Sequence, residues 1–122
     1  MSISNIQVKQ FLPADQVIIT ENRECAELAC HNQVAGPGFT IMDGNRPIAC
    51  GGIRVVGVGI AWFAMTEEAK TNNPMLVIRK AKKKIEEMQR QQELCELFAE
   101  SRSCDKWLEH LGFHKVENIF LR

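Results

Sequence analysis

Residues 59–88 read GIAWFAMTEEAKTNNPMLVIRKAKKKIEEM, and the change of rhythm inside them decides the fold. The first seven are apolar, follow the Gly57-Val58-Gly59 turn and read as a strand. TEEAKTNN, residues 66–73, carries no apolar face and reads as a polar loop. Pro74 then stands where the first turn of a helix accepts proline, with Thr71 to Asn73 as capping candidates. Ile78, Ala81, Ile85 and Met88 keep one apolar stripe at spacings of three and four. Arg79, Lys80, Lys82, Lys83, Lys84, Glu86 and Glu87 fill the opposite face, so an amphipathic helix is expected from Pro74. A second strand over residues 94–100, parallel to the first, would close a right-handed crossover. The helix N-terminus would then offer unpaired N–H groups and about half a positive charge beside the carboxyl ends of both strands. Open α/β sheets bind phosphorylated ligands at such a place.

Working outward, Phe39, Ile41 and Met42 lead into Asp43-Gly44-Asn45-Arg46, a turn whose Gly and Asn tolerate positive φ, and residues 47–56 return from it. With residues 59–65 they make an antiparallel meander. Ile6, Val8 and Phe11 alternate weakly as a first strand ended by Pro13. Residues 14–33 read as helix in two pieces, because Val17 and Ile18, then Cys25, Leu28 and Ala29, recur at helical spacing. After the strand at 94–100, Ser103 or Asp105 can cap a short helix that runs through His110 and is ended by Gly112. Residues 113–121 supply a closing strand or hairpin. The order βααβββαβαβ predicts an α/β (α+β) fold, a mixed and mostly antiparallel sheet flanked by helices, as one domain over residues 1–122.

Composition narrows the function classes. The chain has 122 residues, 45% of them apolar, which suits one domain and excludes disorder, collagen and coiled-coil rods. Fifteen Lys+Arg balance fifteen Asp+Glu, so no global field draws nucleic acid or an anionic membrane, and the lysine run of residues 79–84 reads as a solvated helix face. No apolar run reaches the about 20 residues that span a bilayer, and residues 1–9 lack a signal pattern, so a cytoplasmic protein is expected. Five scattered cysteines read as reduced thiols. Cys25, Cys30 and His31 have no second ligand pair at zinc spacing, and no metal is expected. Trp62 and Phe63 read as sheet core.

The segment SRSCDKWLEHLGFHKV, residues 101–116, resembles the signature end of the Gcn5-related N-acetyltransferases, with Trp107-Leu108-Glu109-His110-Leu111-Gly112-Phe113 similar to the family's "YEKLGF" ending. The order of elements and the hairpin DGNRPIACGGI are similar to that family as well. More narrowly, the short length, the lysine-rich helix and the Trp62-Phe63 strand resemble small acetyltransferase-like proteins of tailed bacteriophages, some of them found inside the virion. The family resemblance implies a fourth and a fifth strand that splay apart, with the pantetheine of acetyl-CoA in the V and its pyrophosphate at the following helix N-terminus.

Laid onto this chain, the family's pyrophosphate loop falls on Lys70-Thr71-Asn72-Asn73-Pro74-Met75. The resemblance therefore implies that Met65 and Thr66 position the thioester, and that Lys70, Thr71, Asn72, Asn73, Met75 and Leu76 hold the pyrophosphate, with Arg79 or Lys80 near the 3′-phosphate. Two departures stand out. Met75 replaces a glycine, and Leu108 occupies the position of a tyrosine that often protonates the departing thiolate, in a chain with no tyrosine at all. Cys104, His110, His114 or water are the remaining acids, and Glu67 or Glu68 the candidate base. Two functions are compatible with this pattern: transfer of acetyl from acetyl-CoA to a primary amine, or the same fold used without catalysis for interaction, with a protein partner or as a homodimer.

Overall fold

The fold grows from the meander. In a computed structural model, which describes residues 6–22, 25–72, 74–99, 105–116 and 119–122, β2 (Gly38–Asp43) turns through Gly44, at φ 62°, into β3 (Arg46–Val55). β3 continues antiparallel into β4 (Gly59–Met65), and β1 (Ile6–Gln10) pairs antiparallel with the outer side of β2. From β4 the chain crosses over through α3 (Glu67–Asn72) and α4 (Pro74–Gln91) to β5 (Phe98–Ala99), parallel to β4. After α5 (Asp105–His110), the hairpin of β6 (His114–Val116) and β7 (Ile119–Leu121) completes one sheet in the order β1-β2-β3-β4-β5-β7-β6.

Side-chain alternation gives the sheet two buried faces. On one, α4 lays Val77, Ile78, Ala81, Ile85 and Met88 against Phe39, Ile41, Ala49, Ile53, Ala61 and Met65. Each of the larger side chains so buried stabilises by about 1.5–3 kcal/mol. On the other, α1 (Pro13–Thr20) and α2 (Ala26–Ala35) cover Cys50, Trp62 and Ala64 with Phe11, Ile19 and Ala29. Phe11 meets Trp62 edge to face, ring centroids 4.8 Å apart. Gly52 makes this second layer possible, because a Cβ there would lie 2.4 Å from the Pro37 carbonyl oxygen. The chain entering β2 instead closes onto β3, where the Ile53 N–H donates to Pro37 O at 3.0 Å.

One buried carboxylate ties the α1 layer to the sheet. Asp15 Oδ2 accepts from Lys9 Nζ (2.8 Å), the Thr40 hydroxyl (2.7 Å) and the Leu12 N–H (3.1 Å), joining β1, β2 and the start of α1. Next to it, Asn32 Nδ2 donates to Gln16 Oε1 at 3.1 Å and links α2 to α1. On the far side of the molecule Arg122 does comparable work. Its N–H and carbonyl pair with Leu97, its guanidinium donates to Leu111 O at 3.0 Å, and it forms an ion pair with Glu86 at 2.7 Å.

Three details correct the reading from sequence. Residues 67–72 of the expected loop form α3, because the Thr66 hydroxyl accepts from the Ala69 N–H (3.1 Å) and Glu67 and Glu68 sit in the first turn, where the helix dipole favours acids. Six residues with Ala69 as the buried position leave no periodicity to see. Thr71 and Asn72 are consequently inside α3 rather than capping α4, and the Thr71 hydroxyl donates to the Glu67 and Glu68 carbonyls. Among the described residues, the strand expected at 94–100 begins only at Phe98, after the Leu97–Arg122 pair. The two helical pieces expected over 14–33 are present as α1 and α2, parted at Glu21, which takes a left-handed φ of 54°; Glu93 does the same beyond α4, at 55°. The closing segment is the hairpin, and the expected Ser103 cap lies outside the described residues.

Replacing Asp15 with Ala removes the shared acceptor of three donors, two of them inside the fold. Urea unfolding of Asp15→Ala is expected to show a loss of about 2–3 kcal/mol. Gly112, at φ 97° after α5, has the Arg122 guanidinium where a Cβ would go. Gly112→Ala is expected to lose at least about 1–2 kcal/mol by the same measurement, whereas Gly57→Ala, also left-handed but in open space, loses only the backbone part.

Candidate functional site

The antiparallel ladder fixes which peptide groups of β4 are free. The Thr66 N–H donates to Ile48 O at 2.9 Å, and from that bond the register runs without a shift to Val55 opposite Gly59. Antiparallel pairs alternate, so Ala64 and Trp62 exchange bonds with β3 while the amides of Phe63 and Met65 point the other way. On that side β5 pairs only with Ile60 and Ala61 among the described residues. The C-terminal half of β4 therefore turns the Phe63 and Met65 amides away from β3, with no strand partner among the described residues, and Thr66 has its own amide engaged by β3.

Beside this edge lies a cleft of about 500 Å³. The end of α1 forms one wall with Ile18, Ile19, Thr20 and Glu21. The start of β3 gives Arg46 and Pro47, and the run from Phe63 through Glu68, with Lys70, supplies the floor and far wall. Two ion pairs hold it. Arg46 Nη2 meets Glu68 Oε1 at 2.5 Å, bridging the β2–β3 turn to α3, and Lys70 Nζ meets Glu67 Oε1 at 3.0 Å within α3.

Of the residues singled out from sequence, the cleft gathers Met65, Thr66, Glu67, Glu68 and Lys70. Thr71 and Asn72 face solvent on α3, Met75 is 43% exposed at the start of α4, Leu76 packs against the core, and Arg79 is exposed one turn on. Asn73 and Cys104 lie outside the described residues. Sequence reasoning missed Ile18, Glu21 and Arg46. Nothing local marks them, since only the packing of α1 and the register of the meander bring them to the end of β4.

A second gap separates β4 from α4 and α5. It is lined by Ala61, Trp62, Phe63, Ile85, Trp107, Leu108, Leu111 and Phe113, and holds about 30 Å³, room for a single water. Leu108, standing where the resemblance would place a tyrosine, is buried in it, while His110 and His114 are exposed. Cys50 is fully buried and burial pushes its thiol pKa far up, so it packs as an apolar group. Among the described residues Cys25, Cys30, Cys50 and Cys95 are free, no group of three or more His, Cys, Asp or Glu could hold a metal, and no helix is long and apolar enough to cross a membrane.

No family model matches the sequence, and no curated protein matches it. Solved structures do match. An acetyltransferase from Streptococcus agalactiae aligns with TM-score 0.73 and 11% identity, over 98% of this chain and 99% of that one. The ribosomal-protein-S18-alanine N-acetyltransferase of Escherichia coli aligns at 0.70 and 14%, over 91% and 79%. A GNAT family acetyltransferase from Elizabethkingia anophelis, solved with acetyl-CoA bound, aligns at 0.62 and 13%, over 96% and 95%. With so little identity it is the path of the backbone that is shared: this chain has the mixed, mostly antiparallel α/β fold of the Gcn5-related N-acetyltransferases.

Proposed function

We propose that this chain transfers acetyl from acetyl-CoA to a primary amine, with the reaction at the end of β4. One observation carries the proposal: the Phe63 and Met65 amides point away from β3, have no strand partner among the described residues, and stand next to a cleft of about 500 Å³. The Met65 N–H is a donor fixed by the ladder, suited to a carbonyl oxygen on which negative charge develops. The cleft holds the amine, and bringing its nitrogen to about 3–3.5 Å from the carbonyl supplies much of the rate, because a thioester is already activated. Glu67 and Glu68 stand on the cleft wall, and either takes the proton of the attacking amine, directly or through a water. Water protonates the departing thiolate in place of the absent tyrosine.

The coenzyme's phosphates would be held by Lys70, the first-turn amides of Met75 and Leu76, and Arg79. A second reading, a non-catalytic interaction or virion-associated protein on the same fold, is favoured by three features of that region. α3 occupies residues 67–72 in place of a glycine-rich loop, Pro74 has no N–H to donate, and the gap between β4 and α5 holds only about 30 Å³.

Calorimetry with acetyl-CoA separates the two, followed by thiol release when a primary amine is added. The first reading expects a measurable Kd and amine-dependent release of coenzyme A. No heat and no thermal shift at millimolar acetyl-CoA overturn it in favour of the second. Lys70→Glu is expected to weaken acetyl-CoA about tenfold, the loss of one charge-assisted contact, with little change in Tm because the Lys70–Glu67 pair is at the surface.

A further inference from the structure

We infer that Glu21 selects acceptors carrying a second positive charge, so that the cleft takes an amine borne on an apolar stem with a cationic group at its far end. Five charged side chains line the cleft: Glu21, Glu67 and Glu68 against Arg46 and Lys70. Both cations are already engaged, Arg46 with Glu68 and Lys70 with Glu67. Glu21 alone of the five has no ion-pair or hydrogen-bond partner for its carboxylate among the described residues, and it leaves the cleft with an excess negative charge. Its position is fixed by the end of α1, where its N–H donates to Ile18 O and φ is 54°.

The space between Glu21 and the β4 edge is apolar. Ile18 is 53% exposed although it lines a concave wall, and Pro47, Phe63, Ala64 and Met65 complete the surround. An alkyl stem covering Ile18 removes apolar area from water, and a cation at its end meets the one cleft carboxylate that has no partner among the described residues. The amine at the other end reaches the Met65 amide, where the transferred carbonyl is proposed to sit. The ligand's role as acceptor rests on the transferase reading; its binding does not.

Titration calorimetry of the full chain without coenzyme, using diaminobutane, butylamine and gamma-aminobutyrate as probes, tests the inference. Diaminobutane is expected to bind roughly three- to tenfold more tightly than butylamine, the range for one partly exposed charge pair, and gamma-aminobutyrate most weakly. Glu21→Gln and Glu21→Asn are each expected to bring diaminobutane down to the affinity of butylamine. Asn tolerates the left-handed backbone, so Glu21→Asn also raises Tm by a few degrees, which keeps a lost preference from being read as lost fold. Glu93→Asn relieves the same backbone beyond α4, away from the cleft, and is expected to raise Tm while leaving the preference intact. Equal affinity for the two amines, tightest binding of gamma-aminobutyrate, or a preference that survives both Glu21 substitutions overturns the inference. Because the titration contains no acetyl-CoA, these results leave the transferase reading standing, and failure to bind acetyl-CoA leaves the amine ranking standing.

Discussion

A β-strand in the middle of a sheet has to satisfy peptide groups on both sides, and β4 does so over only part of its length. Its β3 side is complete from Gly59 to Met65 and is extended by the Thr66 to Ile48 bond. On the other side Ile60 and Ala61 pair with β5, and the next two outward amides, Phe63 and Met65, have no strand beside them among the described residues. Everything proposed for this protein follows from that asymmetry. A fixed donor row at an open edge is rigid in position and available for a ligand, because the other half of each strand's ladder holds it still.

The layers around β4 keep the edge open. α1 and α2 are held over one face by Asp15 and by the Gln16–Asn32 bond, so the end of α1 overhangs the strand tip without covering it. On the other face α4 packs along β3 and β4, and the Arg122 side chain ties the last strand to α4 and to the turn after α5. Buried polar contacts of this kind contribute little net energy each, yet removing one partner leaves the other desolvated and alone. They therefore fix position more than they add stability. The cleft's own ion pairs are of a different kind. Arg46–Glu68 and Lys70–Glu67 are exposed, so they shape the mouth of the cleft with small effect on folding.

The fold's main lines were legible because they rest on periodicity over long segments. The stripe Ile78, Ala81, Ile85, Met88 and the alternation across the Gly44 turn each repeat often enough to identify α4 and the meander. α3 was not legible, since its formation depends on one cap from Thr66 and one buried alanine, too little for a pattern. The site divides in the same way. Met65 to Lys70 could be named because they follow a recognisable strand end, whereas Ile18, Glu21 and Arg46 lie 19 to 47 positions before Met65 and join the site only by packing.

By itself the sequence determined the class of fold, through apolar spacing and turn chemistry, and it determined which residues would follow β4. Those are local properties, set by side-chain shape and by which backbone angles each residue tolerates. Only the tertiary structure decided that the Phe63 and Met65 amides turn away from β3, that α3 replaces a loop, and that Glu21 faces the cleft while the other four charges neutralise one another. These depend on strand register and on helix placement over the sheet, which emerge from the packing of the whole core and are written in no single stretch of residues.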